Sequence, residues 1–226
     1  MTVSIIVPMF NEEGNLKRLI KTLNALTPPP FEVIFVDGGS QDDSYPIAAS
    51  SGFIALKSSQ GRAEQQNAGA AVATGQILLF LHADTLLPND ALLTVENALY
   101  SPHIWGRFDV RLASPLRMLR VVAYMINLRS RWSGIATGDQ AIFVVKDYFT
   151  QIDGFPIQPL MEDIEISKRL NAIQHPVCLR QTVLTSARRW EKRGVWRTIV
   201  LMWRIRFLYW LGVPADKLAQ GYQHER

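Results

Sequence analysis

Short apolar runs that end abruptly at glycine or polar residues alternate with stretches of helical periodicity along the first hundred residues. Runs at 3–7, 33–36 and 77–81 have the continuous apolar character of strands buried on both faces of a sheet. After the first, Leu16, Leu19, Ile20, Leu23 and Leu26 recur at the spacing of one helical face, Lys17, Arg18 and Lys21 stay outside, and Pro28-Pro29-Pro30 closes the segment. A short helix over 45–51, a strand at 53–56 and an alanine-rich helix opening at Gly61 and closing at Gly75 follow. Pro88-Asn89-Asp90 predicts a helix start, with Leu92, Leu93, Val95, Ala98 and Leu99 as its apolar face. Residues 105–112 alternate as a half-exposed strand does. This order predicts an α/β fold with a mostly parallel sheet flanked by helices.

The second half is less regular. Residues 115–132 form an arginine-flanked amphipathic stretch, 141–145 a strand, and 162–172 a helix with acidic residues in its first turn. With 226 residues, 48% of them hydrophobic, the chain can bury one sizeable core. The expected division is a catalytic domain over 1–190 and a C-terminal amphipathic helix and tail over 191–226.

Composition narrows the setting. A lone cysteine, Cys178, excludes an internal disulfide framework and reads as a small core residue in a reducing compartment. Residues 1–30 lack the pattern of a secretory signal, so a cytoplasmic location is expected. No run reaches the roughly 18 uncharged apolar residues of a spanning helix. The net charge of +4 is modest, but arginines crowd the second half, which suits nucleic acid, anionic lipid or a phosphorylated substrate. Without helix-turn-helix, zinc-finger or RNP patterns, nucleic acid is not an expected partner. Residues 194–212 combine Trp196, Trp203, Tyr209 and Trp210 with Arg193, Arg197 and Arg204 on one helical face and Arg206 near the opposite one. That suits peripheral contact with the inner face of a membrane, packing on the catalytic domain, or a homodimer seam.

The chemistry concentrates at strand ends. Residues 33–36 run into Asp37-Gly38-Gly39-Ser40, and 77–81 into His82-Ala83-Asp84. In open parallel sheets ligands bind outside the carboxyl ends of the strands, so two aspartates there suggest a nucleotide and a divalent cation. Pro8 and Phe10 lie past the first strand, where Phe10 can wall a nucleobase and Asp37 can accept from the base or a ribose; a plain turn cap at Asp37 and a core Phe10 fit the same pattern. Arg62 opens a helix followed by Glu64, Gln65, Gln66 and Asn67, a phosphate-binding start or a solvated one. His82 and Asp84 share one side of an extended segment, as ligands for Mn²⁺ or Mg²⁺, and the alternative is a turn cap. Glu162, Asp163 and Glu165 offer a general base, or merely offset a helix dipole.

Taken in order, these motifs resemble the family-2 inverting glycosyltransferases of the GT-A fold over roughly residues 3–190. Ser4 to Glu12 looks like the opening strand, Asp37 to Asp42 like the nucleotide-binding turn, and Arg62 with Asn67 and Gly69 like the basic element before the fourth strand. His82-Ala83-Asp84 stands at the place of the Asp-x-Asp metal motif, Gly138-Asp139 with Phe143 at the acceptor loop, and Glu162-Asp163 at the catalytic pair. Phe80 to Thr85 looks most like a short bacterial subgroup known as selenodomain-associated transferases.

The resemblance implies donor contacts from Pro8, Phe10, Glu12, Asp37, Arg62, Asn67 and Asp84, and acceptor-side roles for Gly138, Asp139, Arg189 and Trp190. It also implies Asp163 as base with Glu162 beside it, and Mn²⁺ or Mg²⁺ at Asp84 and His82. The implied reaction moves one sugar, with inversion, from a nucleotide-diphosphate donor, commonly uridine-linked, to the hydroxyl or phosphate of an unidentified acceptor, with a lipid-linked acceptor as one reading. Two departures stand out: histidine replaces the first aspartate of the metal motif, and Ala187-Arg188-Arg189-Trp190 replaces the processive Gln-x-x-Arg-Trp element. A sugar nucleotidyltransferase would want a basic, Gly-rich loop after the first strand, where this chain has the acidic Asn11-Glu12-Glu13. A non-catalytic nucleotide-sugar-binding protein would use Asp37 and Arg62 without the acidic pair.

Overall fold

The computed structural model describes residues 1–100 and 102–224. In chain order the elements are β1 (Val3–Met9), α1 (Glu13–Asn24), β2 (Glu32–Asp37), α2 (Ser44–Ala49), β3 (Ile54–Lys57), α3 (Arg62–Val72), β4 (Ile77–Phe80), β5 (Thr85–Leu86) and α4 (Ala91–Leu99). Then come β6 (Trp105–Ala113), α5 (Arg117–Ser133), a 3-10 turn (Gly138–Gln140), β7 (Phe143–Val145), α6 (Lys146–Gln151), α7 (Glu162–Ile173), β8 (Val177–Ser186), α8 (Arg188–Arg193), α9 (Val195–Trp210) and α10 (Ala215–His224).

One sheet runs β3-β2-β1-β4-β7-β6-β8-β5. Its first four strands are parallel, as the alternating pattern predicts. From β4 onward the sheet is mixed: β7 lies antiparallel to β4 and β6, β8 is parallel to β6, and β5 is antiparallel to β8. The carboxyl ends of β1, β2 and β4 therefore share one rim.

Strand alternation sorts the core into two layers. From β1, Val3, Ile5, Val7 and Met9 join Leu16, Leu19 and Leu23 of α1, whereas Ile6 joins Ala63 and Ala70 of α3 on the other face. Burial on both faces explains why these strands read as unbroken apolar runs. A Cβ on Gly69 would come within 2.5 Å of an Ile6 methyl, so the glycine lets α3 lie against the sheet.

Two expectations need correcting. β6 is not half-exposed throughout: Trp105, Gly106, Arg107 and Phe108 are all buried because β7 and β8 flank the strand, and alternation begins only beyond the irregularity between Phe108 and Asp109. Cys178 is half-buried on β8 rather than a core residue. Of the settings expected for the C-terminal segment, packing on the rest of the fold is seen. Ile205 of α9 and Leu218 of α10 pack with Met161, which precedes α7, and with Ile164 of α7, and Val195 and Ile199 pack beside Leu119 and Val122 of α5. No helix among the described residues is long and apolar enough to cross a membrane.

Candidate functional site

The β1 and β2 rims are laced together by backbone and side chain. Asn11, in the left-handed region at φ 53°, donates its N–H to Ser40 Oγ, and its own side chain accepts from Gln41 N. Glu12 N–H donates to Ser44 Oγ at 2.7 Å. The Asp37 carboxylate accepts from Gly39 N at 3.0 Å and Ser40 N at 3.1 Å, closing its own turn, and Asp37 is only 1% exposed. From the first turn of α3, Gln65 Nε2 donates to both Met9 O and Val36 O, at 2.8 and 2.7 Å. Phe10 stands 39% exposed, not in the core, with an open ring surface at this rim. Pro8 differs: it is buried in β1 opposite Val36, so it shapes the rim without offering a contact surface.

Asn67 also departs from its expected donor role. Its amide donates to Phe155 O at 2.8 Å and accepts from Phe155 N at 2.9 Å, a two-point clamp on the segment between α6 and α7. It positions the chain that leads to Glu162.

Beyond β4 the backbone turns, with Thr85 N–H donating to His82 O, so His82 and Asp84 are not successive same-side positions of a strand. The His82 ring lies on Gly138, where a Cβ would come within 2.4 Å of Nε2. Burial, then the Arg62 and Arg189 cations, push the imidazole down to about 3, leaving it neutral. Asp84 is raised above the ordinary carboxylate range by burial and by Asp139, against the opposing pull of Arg62 and Arg188. It also borders a cleft of about 190 Å³ with Asn15, Arg18 and Ser186. Glu12 is raised as well, by burial foremost and by Asp84, although Asn15 donates to it at 2.6 Å.

The acceptor-side turn and the acidic helix start meet directly. A capping box between Thr137 and Gln140 sets the 3-10 turn, and Gly138 N–H donates to Asp163 Oδ2 at 3.0 Å. Met161, left-handed at φ 68°, breaks the chain direction just before Glu162 and Asp163. Burial, reinforced by Glu162 and Asp139 and opposed by the Gly138 N–H and Arg62, raises Asp163 to about 7. Glu162 is 5% exposed, and its Oε1 lies 3.6 Å from Arg62 Nη1.

Thus Glu12, Asp84, Asp139, Glu162 and Asp163 form one electrostatically linked group, with Arg62 opposing the shift of Glu12, Asp84 and Asp163. Asp37 shares the rim through its pairing with Met9, but its carboxylate is engaged in its own turn. Arg189 lies near enough to His82 to influence it, and Trp190, partly buried, packs against the apolar cluster of Leu112, Leu119 and Val122.

Sequence reasoning missed Arg129. Its Nε and Nη2, like Asp139 Oδ1, are buried without a hydrogen-bond partner among the described residues. Burial lowers the Arg129 pKa, while Asp139 and Asp163 hold it up. Nothing in the local sequence marks it, since it is one of several arginines on α5.

No cluster of three or more His, Cys, Asp or Glu among the described residues is arranged to hold a metal. Asp84 and Asp139, which influence one another electrostatically, carry hard carboxylate oxygens of the kind that suits Mg²⁺ or Mn²⁺. His82 Nε2 is turned onto Gly138, which argues against its use as a ligand.

The sheet order, with a carboxylate-rich rim where the parallel strands end, defines an α/β protein of the GT-A type. The glycosyl transferase family 2 model matches residues 4–148, and the chain belongs to that family. It is 30% identical over 191 residues to the uncharacterized glycosyltransferase Rv1514c of Mycobacterium tuberculosis, covering 79% of this chain and 72% of that one. An uncharacterized glycosyltransferase of Haemophilus influenzae is 37% identical over 89 residues, 36% of this chain but 29% of that protein, so the chain spans less than a third of this relative. Among solved structures, Staphylococcus aureus TarS 1-349 superposes with a TM-score of 0.64 at 19% identity, covering 83% of this chain and 61% of its own. Glucosyl-3-phosphoglycerate synthase from M. tuberculosis, solved with Mn²⁺, uridine diphosphate and its product, gives 0.63 at 17% identity, covering 94% and 81%.

Proposed function

We propose that the protein transfers a single sugar from a nucleotide-diphosphate donor to an acceptor hydroxyl, with inversion at the anomeric carbon. The observation that carries this reading is Asp163, half-buried beside Glu162 and bonded to Gly138, with its affinity for a proton raised toward neutrality. A carboxylate of that kind is matched to accepting a hydroxyl proton near pH 7. The acceptor O–H proton passes to Asp163, the freed oxygen electron pair forms the bond to the anomeric carbon, and the bond to the diphosphate oxygen breaks with its electrons on the leaving group. TarS, solved with UDP-GlcNAc, supports a uridine-linked donor here.

Arg62 and Arg188, on the donor side of the acidic group, offset the charge that develops on the diphosphate. Asp84 and Asp139 are the residues that would hold a divalent cation, which when bound supplies further positive charge to those oxygens. Phe10 offers its exposed ring to the base, and the 3-10 turn that carries Gly138 and Asp139, bonded to Asp163, borders the acceptor side. Glu162 holds Arg62 and keeps the charge on Asp163 unfavourable.

The test is release of nucleoside diphosphate from a panel of nucleotide sugars, with acceptor extracts fractionated by polarity. Asp163→Asn should retain donor affinity while turnover falls by about 10²–10⁴-fold. Full turnover in that variant would remove Asp163 from the reaction, and binding without any turnover in the parent would favour the non-catalytic reading.

A further inference from the structure

Two neighbouring helices carry much of the exposed apolar surface. α5 and α9 share an apolar cluster containing Leu119, Val122 and Ala123 from one and Val195 and Ile199 from the other. Outside that seam α9 exposes Trp196, Val200, Trp203, Phe207 and Trp210. Steps of four and three residues place all five along one side of the helix. α5 does the same with Met118, Val121, Met125 and Trp132, the last 87% exposed. Trp203 and Trp210 are 73% and 78% exposed.

The charges around these stripes have one sign. Arg197 and Arg204 stand on one flank of the α9 stripe and Arg206 on the other, while Arg117 and Arg120 are exposed on α5. Neither helix contains an aspartate or glutamate. Exposed indoles bordered by guanidinium groups match the boundary between acyl chains and anionic headgroups: the rings bury at the boundary and the arginines meet phosphate. A second copy of the same surface would bring only more arginine, so the charge does not complement itself.

We propose that α5 and α9 together form a docking platform for an anionic bilayer surface, with the helices lying in the plane of the interface. The proposal goes beyond the sugar-transfer reading and does not depend on it, because the test reads no chemistry.

The full chain is sedimented with vesicles of phosphatidylcholine alone and of phosphatidylcholine mixed with phosphatidylglycerol, at low and high salt. Binding to the anionic vesicles is expected, weakened by salt. Replacing Trp203→Ser with Trp210→Ser, or Val121→Ser with Met125→Ser, should weaken it by about tenfold or more. Arg197→Gln with Arg204→Gln should weaken it and flatten the salt response. These positions are exposed, and thermal melts of each variant verify that the fold is intact. Absence of vesicle binding would overturn the proposal. So would equal binding to both vesicle types, or a parental dimer that the tryptophan variant converts to monomer without any lipid effect.

Discussion

The Gly138 backbone N–H points at Asp163 Oδ2 across 3.0 Å, joining the 3-10 turn to the start of α7. The same glycine carries the His82 ring on its other side. One residue without a side chain thus holds together the His82-Ala83-Asp84 segment, the 3-10 turn and Asp163. The bond also favours the charged form of Asp163 and so moderates the larger effect of burial.

The pH dependence follows from that balance. Burial and Glu162 hold the folded-state pKa of Asp163 above its unfolded value, near 7. Its basic form accumulates as pH rises through that value, so kcat/KM should climb on an acidic limb near neutrality, and Asp163→Asn should abolish the limb. Stability runs the other way. The native state binds the proton more tightly, so the carboxylate costs nothing below its unfolded pKa and its full amount above about 7. The Tm of Asp163→Asn relative to the parent should therefore rise between pH 5 and pH 8, by a few degrees. A constant difference would mean that the carboxyl is not perturbed.

Asp84 and His82 separate the two halves of the altered metal motif. Because the His82 ring is seated on Gly138 and Asp84 supplies the hard carboxylate oxygens, the cation requirement should follow the aspartate alone. Calorimetry with uridine diphosphate, with and without Mn²⁺, should show the cation-dependent gain reduced about tenfold or more in Asp84→Asn. His82→Asn should leave that gain within about threefold. An equal loss in both variants would put the imidazole among the ligands.

Arg129 should show a trade between stability and activity. Its guanidinium has buried donors without partners, so Arg129→Met removes unsatisfied groups while keeping much of the side-chain bulk. The melting temperature should hold or rise by a few degrees. Turnover should fall about tenfold or more, and the acidic limb should shift upward because a cation facing Asp163 is gone. Arg129→Lys should restore the limb better than the rate, since an ammonium supplies charge without the planar fork. A loss of stability with unchanged kinetics would make Arg129 a structural residue.

How far the sequence could be read depends on how local each signal is. β1, β2 and β4 are legible because burial on both faces leaves an uninterrupted apolar run, and Asp37 and Asp84 stand out by ending or following one. β8 is not: Arg180, Gln181 and Thr182 interrupt its middle because those positions are exposed. β5 is a two-residue strand defined only by its pairing with β8. The same distinction governs the site. Asn67 looks like one amide among several at a helix start, and its partner Phe155 lies 88 residues away. Arg129 reads as one more arginine on an amphipathic helix, and only folding sets it opposite Asp139 and Asp163.

Gln65 carries a consequence for the way the donor is received. Its amide spans two parallel strands, holding Met9 O and Val36 O from the one nitrogen, and Gly38 gives it room. The rim formed by β1 and β2 is thus fixed when the chain folds, before any ligand arrives. A donor received there, as proposed, would spend little ordering entropy on these two loops.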